Sequence, residues 1–228
     1  MIYSNSHCNF RFEHGDNFGH KGVINQGDVQ WMVAGKGVIH SEMPVQKPGD
    51  PTPTGLQLWI DLPKDEKFCA PEYQELTDKD LPRAYPQGES GPVEIKIISG
   101  DSHGVSSPIR QRGGCWYFDI KLKSKGANVF QPLPKGWNAL AYILSGSLKT
   151  KDNKILNKFH TITLSNNDEE DGLYVESNEE EEARLVLIAG KPLDQPCIQW
   201  GPFVLTSEEE IQQAFIDYRL GRNGFERP

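Results

Sequence analysis

A chain of 228 residues, 36% of them hydrophobic, is long enough to bury a core, as one large β domain or two smaller ones. Its 32 acidic and 24 basic side chains leave a net charge of −8, and no lysine–arginine run interrupts that balance, which excludes a surface built to neutralise nucleic-acid phosphates. No apolar stretch approaches the ~20 residues that span a bilayer, and residues 1–6 have neither the basic flank nor the apolar centre of a secretory signal.

Cys8, Cys69, Cys115 and Cys197 are scattered without C-x-x-C spacing, so neither a zinc knuckle nor a disulfide framework is expected. A soluble intracellular protein with reduced thiols follows as the expectation.

Nothing before Phe10 has a clear period. Residues 10–14 read as a short strand and residues 15–22 as the turn behind it. Val29, Trp31 and Val33 then alternate with Gln30 and Met32, the period of two of a half-buried strand. Ala34-Gly35-Lys36-Gly37 supplies residues that tolerate positive φ at a tight turn. Val38-Ile39 resumes an extended run that carries His40 and Glu42. Residues two apart on a strand point to one face, so this imidazole and this carboxylate project together. They are two of the ligands that a divalent first-row metal takes. Residues 48–53 are a loop by their proline content, and Leu56, Leu58, Ile60 and Leu62 predict a strand over 55–62, ended by Pro63.

Residues 77–92 mix prolines and glycines with charges and read as a link between two halves. Strands are expected over 93–100, 116–122, 139–148, 161–164, 172–175 and 183–190. Many short strands separated by turn signals point to an all-β barrel or sandwich. The acidic runs 168–171 and 179–182 read as solvated loops, with a docking patch for a basic partner as the sharper alternative. One helix is convincing. Ser207 and Glu210 form a capping box, Glu208 and Glu209 suit the positive end of the dipole, and Gly221 is placed to stop it. Its stripe of Ile211, Ala214, Phe215 and Tyr218 is read as packing against a barrel, ahead of a partner groove.

Gly27-Asp28-Val29-Gln30-Trp31-Met32, followed by Gly35-Lys36-Gly37-Val38-Ile39-His40-Ser41-Glu42-Met43-Pro44, closely resembles the signature of the pirins. So do Gly55-Leu56-Gln57-Leu58-Trp59, Pro71-Glu72-Tyr73-Gln74-Glu75-Leu76 and Gln131-Pro132-Leu133-Pro134-Lys135-Gly136-Trp137. Gly201-Pro202-Phe203-Val204 and Asn223-Gly224-Phe225-Glu226-Arg227 complete the resemblance, which runs in order from about Phe12 to the end. It implies a bicupin: two antiparallel β-barrels with a single iron in the first. The expected division is residues 1–80 for the first barrel, 81–92 for a linker, and 93–228 for a metal-free second barrel with the terminal helix.

The family's iron site uses three histidines and one glutamate, and two of these match here, His40 and Glu42. The other two belong to a His-Pro-His-Arg-Gly-Phe-Glu-Thr-Val stretch that the family's spacing places a few residues before Met1. The first barrel is therefore expected to be incomplete, with an open edge that favours self-association or poor folding. In the second barrel the corresponding positions fall on Gln131 and Leu133, which bind no iron, and His160 reads as structural or exposed. His7, His14 and His20 are the residues available to rebuild the site. His14 and His20 match family positions that are not ligands, and iron needs ligands fixed to within tenths of an ångström.

Two function classes follow from the resemblance. One is a nuclear binding protein, present in the cytoplasm as well, that co-regulates transcription or signalling through protein partners and makes no direct contact with nucleic acid or membrane. The other is an iron-dependent dioxygenase cleaving the flavonol quercetin, in which Glu42 takes the proton of the flavonol hydroxyl. An inactive truncated paralogue is the third. The half-matched site favours the first.

Overall fold

The computed structural model describes residues 2–3, 11–45, 49, 55–166 and 171–226. They fall into two compact units, residues 1–80 together with 194–228, and residues 81–193. In the first unit, β1 (Ile2–Tyr3), β2 (Arg11–Asp16), β3 (Lys21–Asn25), β4 (Val29–Val33), β5 (His40–Pro44), β6 (Gly55–Leu56) and β7 (Glu72–Leu76) form antiparallel sheets. Their orders are β6-β1-β4-β7 and β3-β2-β5. Val29 and Val33 turn inward from β4, 2% and 5% exposed, as their alternation requires.

Two local expectations for this unit change. The ladder between β2 and β3 continues through Gly15 opposite Lys21, so only residues 17–20 turn; Phe10 lies outside the described residues. The strand expected over 55–62 stops after Leu56, because Leu56 has Ile2 alongside and residues 57–63 have no strand to pair with among the described residues. Trp59 and Ile60 are accordingly exposed. That segment is fixed by side chains instead. Asp61 accepts from the buried Lys67 ammonium and from Gln195 Nε2 (2.9 Å), and Gln195 Oε1 accepts the Lys64 N–H at 2.8 Å. β1 lies between β4 and β6, with Ile2 opposite both Val29 and Leu56, so the chain's own first residues occupy that part of the sheet.

The second unit holds β8 (Arg83–Ala84), β9 (Val93–Ser99), β10 (Asp101–Ser102), β11 (Val105–Ser106), β12 (Cys115–Leu122) and β13 (Asn128–Pro132). It continues with β14 (Asn138–Ser145), β15 (Ser147–Lys149), β16 (Ile155–Asn157), β17 (Thr161–Leu164), β18 (Gly172–Ser177) and β19 (Ala183–Gly190). The sheets run β17-β14-β19-β12-β9-β8 and β13-β18-β15-β16. Ile95, Phe118, Ile120, Ile143, Leu148 and Leu185 are completely buried in one core. Each such side chain contributes about 1.5–3 kcal/mol of transfer free energy.

Residues 81–92 are part of this unit and not a linker, because β8 adds Arg83 and Ala84 to the edge of β9 and buries Leu81 and Ala84. The single strand expected over 139–148 is two. Gly146, at φ +72°, turns the chain between them, and β15 leaves for the other sheet. The acidic loop 179–182 is exposed, as read from its charge; most of the run 168–171 lies outside the described residues.

β20 (Ile198–Trp200), β21 (Phe203–Leu205) and α1 (Glu208–Leu220) return to the first unit, so the second ends at residue 193 and not at 228. α1 begins with both halves of its capping box and ends at Gly221 in the left-handed region. Phe203 of the hairpin meets Phe215 edge-on at 5.0 Å and Phe225 at 5.8 Å. Within the expected stripe Ile211 is buried while Tyr218 stays 41% exposed, and the side chain buried near the end of the helix is Asp217. Asp217 accepts hydrogen bonds from Asn223, Arg222 and Gln213, which fold the tail back and hold its carboxyl below the usual range. Among the described residues Cys69, Cys115 and Cys197 are free, and no helix is long and apolar enough to cross a membrane.

Candidate metal centre

The strand carrying His40 and Glu42 is set by the glycine turn before it. Gly35 sits at φ +54°, where a Cβ would lie 2.1 Å from the Cys69 carbonyl oxygen. The turn closes through Lys36 N–H to Cys69 O (2.9 Å) and Gly37 N–H to Ala34 O (3.2 Å). Asn17 then fixes the start of β5. Its backbone N–H donates to Ile39 O at 2.9 Å, and its side-chain oxygen accepts the Ile39 N–H at 2.9 Å. The Nδ2 of the same residue donates to Gly224 O (3.0 Å) and Glu226 O (2.9 Å), so one side chain ties the C-terminal tail to the approach to His40. The Phe225 ring fills the space beside Gly37, 2.7 Å from where a Cβ would stand.

β5 pairs with β2 so that His40 lies opposite Asp16 and Glu42 opposite His14. His40 and Glu42 share a face, with Nε2 3.9 Å from Oε1, and Glu42 is the more buried of the two. The neighbouring histidines are already engaged. His14, its side chain 7% exposed, accepts from Gln30 Nε2 at Nδ1 (2.9 Å), and its Nε2 lies 3.0 Å from Glu75 Oε1. Gln30 donates to the same Glu75 oxygen at 2.9 Å and so bridges His14 and Glu75, while the buried His14 Nε2 makes no hydrogen bond among the described residues. Asp16 Oδ2 meets His20 Nδ1 at 2.8 Å, and Asp16 Oδ1 accepts the N–H groups of Phe18 and His20. Burial opposes ionisation of Asp16, but the hydrogen bonds from His20 and Phe18 outweigh it and hold the carboxyl below the usual range. The same surroundings push the Tyr73 hydroxyl up, through burial first and then the carboxylates of Asp16, Glu75 and Glu42.

Of the candidate ligands, His40 and Glu42 come together as expected. His14 and His20 lie on the neighbouring strand and turn, His14 hydrogen-bonded to Gln30 and His20 to Asp16; His7 is outside the described residues. Two ligands do not complete a first-row metal centre. Among the described residues no group of three His, Cys, Asp or Glu side chains is placed to hold a cation. The described residues therefore do not, by themselves, fit an iron site. In the second unit Gln131 is buried, accepting from Ser102 Oγ at 2.6 Å and donating to Pro132 O at 2.9 Å, while Leu133 packs against the core. His160 is exposed and accepts the Asn157 N–H.

Sequence reasoning missed Asn17, Gln30, Glu75 and Tyr73. Asp16-Asn17 between two short strands carried a turn signal, whereas Gln30 and Glu75 sit at strand positions that read as outward and polar. Gly22, opposite His14 on β3, packs directly on its imidazole: a Cβ there would stand 2.3 Å from Nε2. Gly22→Ala is expected to swing His14 out of its network and cost about 1–3 kcal/mol. The His14 ring resonances by NMR and a urea midpoint check both.

Two family models match the sequence, "Pirin" over residues 8–60 and "Pirin C-terminal cupin domain" over residues 117–224. A pirin-like protein of Solanum lycopersicum is 43% identical over 218 residues, 95% of this chain and 71% of that protein. This chain belongs to the pirin family. Pirin of Homo sapiens is 42% identical over 217 residues, 94% of this chain and 71% of that protein. Among solved structures, a quercetin 2,3-dioxygenase from Acinetobacter baumannii is similar over 100% of this chain and 83% of its own, at a TM-score of 0.81 and 28% identity. The two pirin models and this likeness identify the mostly β architecture as a bicupin.

Proposed function

We propose that this pirin-family chain is a binding protein that works in the nucleus, co-regulating transcription or signalling through protein partners. The observation that carries this reading is that, among the described residues, His40 and Glu42 come together without a third side chain placed to hold a cation with them. Two ligands on one strand serve a scaffold better than an oxygenase, whose metal needs more of them. The net charge of −8 favours contacts with proteins over direct contact with DNA.

A flavonol dioxygenase is the second reading, favoured by the likeness to the Acinetobacter baumannii quercetin 2,3-dioxygenase across the whole chain. It requires a metal cofactor, iron in the family's case, and gives Glu42 the proton of the flavonol hydroxyl. Quercetin consumption and oxygen uptake by the iron-loaded protein decide between the two, with His40→Ala alongside. The expected result is no turnover above an iron-only control. Turnover that disappears in His40→Ala would overturn the binding-protein reading.

A further inference from the structure

The second unit carries a positively charged arm on an acidic chain. β15 and β16 pair Leu148 with Leu156 and Lys149 with Ile155. Both leucines turn into the core, which leaves Ile155 outside and 46% exposed. The tip is well closed: Thr150 N–H donates to Lys154 O at 3.0 Å, Asn153 takes φ +60°, and the Thr150 hydroxyl donates to Asp152. That hydrogen bond holds the Asp152 carboxyl below the usual range. Between residues 147 and 159 Asp152 is the only acid, against Lys149, Lys151, Lys154 and Lys158. Glu176 neutralises Lys149 at 2.8 Å, whereas Lys151, Lys154 and Lys158 form no ion pair among the described residues.

Immediately beyond the arm, Phe159 stands at φ +69° with 65% of its surface exposed. An aromatic residue in the left-handed region is strained, and such strain persists only where the surroundings enforce it. Here Phe159 N–H donates to Ile143 O (2.8 Å) and Ile143 N–H to His160 O (3.0 Å). The ring stacks on Tyr142 at 6.5 Å, and Lys158 Nζ lies 4.6 Å from its centre. An apolar ring edge is thus held in one orientation beside unneutralised ammonium groups, with its ordering entropy already spent.

We propose that this arm docks an acidic peptide segment of a partner protein, its carboxylates meeting Lys151, Lys154 and Lys158 and an apolar side chain lying on Phe159 and Ile155. The argument is charge complementarity: in a field that is negative overall, an acidic segment is attracted at the arm and repelled elsewhere. A nucleic acid fits less well, because three lysines neutralise few phosphates while the rest of the chain repels a long polyanion. The proposal rests on the binding-protein reading, naming a surface and a partner class for it.

The test is fluorescence anisotropy on the full chain, with a labelled peptide of about twelve residues, glutamates and aspartates interrupted by leucine and tryptophan. A labelled oligonucleotide of similar length and charge is run in parallel. Lys151→Glu, Lys154→Glu and Lys158→Glu together are expected to weaken peptide binding at least about tenfold, and added salt to weaken it in the parent. Phe159→Gly is the second variant: glycine adopts this φ freely, so the thermal midpoint is expected to hold or rise while peptide affinity falls about fivefold. No binding by the parent, equal affinity in the charge-reversed chain, or tighter binding of the oligonucleotide would each overturn the proposal. The two readings fail separately, since flavonol turnover dependent on His40 removes the binding-protein reading and leaves the peptide titration to judge the arm.

Discussion

Asn17→Ala is expected to lower stability by about 2–3 kcal/mol, because the side chain makes three hydrogen bonds that nothing else replaces. Gly224 O, Glu226 O and the Ile39 N–H lose their partner together, so the C-terminal tail and the approach to β5 loosen in one step. A urea titration should show the midpoint falling with its slope unchanged. Amide exchange at Ile39 and Phe225 should accelerate in parallel. Asn17→Asp separates the two functions, since a carboxylate still accepts from Ile39 but cannot donate to the tail. It should free the tail alone. Unchanged stability in Asn17→Ala would mean that Phe225 packing on Gly37 suffices to hold the tail.

A larger effect is expected at Asp119→Ala in the second unit. Asp119 is 1% exposed and accepts Arg184 Nε at 2.7 Å and Nη2 at 2.5 Å, a two-pronged pair between β12 and β19. Removing the carboxylate takes its two-pronged hydrogen bonds from a guanidinium at 9% exposure, at a cost of about 3 kcal/mol. Replacing both partners, Asp119→Leu with Arg184→Met, is expected to be much milder, within about 2 kcal/mol of the parent, because no charge is then stranded. Denaturant unfolding of the single and double variants completes the cycle. A single variant as stable as the double would show that Arg184 finds other partners when Asp119 is gone.

The sequence made the long strands legible because their inward rows are uniformly apolar. Ile95 and Ile97 of β9 and Leu185 and Leu187 of β19 point one way and pack in one core. The capping box of α1 was equally plain, since Ser207 and Glu210 act locally and need no distant partner. β13 escaped notice because Gln131 stands where its pattern calls for an apolar side chain. The strand over 55–62 was over-read for the opposite reason: the alternation is present but, among the described residues, a neighbouring strand is not, and a ladder needs two sides. At the site, the spacing of His40 and Glu42 fixed their shared face. The partners of His14 and His20 were invisible, because Glu75 and Gln30 reach His14 only through pairing between strands distant in the chain.

The split of the first unit around the second bears on how the chain is made. Residues 81–193 are continuous and can fold as soon as they leave the ribosome, whereas residues 1–80 wait for residues 194–226 to emerge. The carbonyls that Asn17 grips belong to Gly224 and Glu226, 207 and 209 residues further along the chain. Until Phe225 has emerged, the Gly35–Gly37 turn lacks its ring, and the strand bearing His40 and Glu42 lacks that support. A ribosome stalled between residues 193 and 224 would display a mature second unit joined to an unfinished first one, a natural substrate for chaperones.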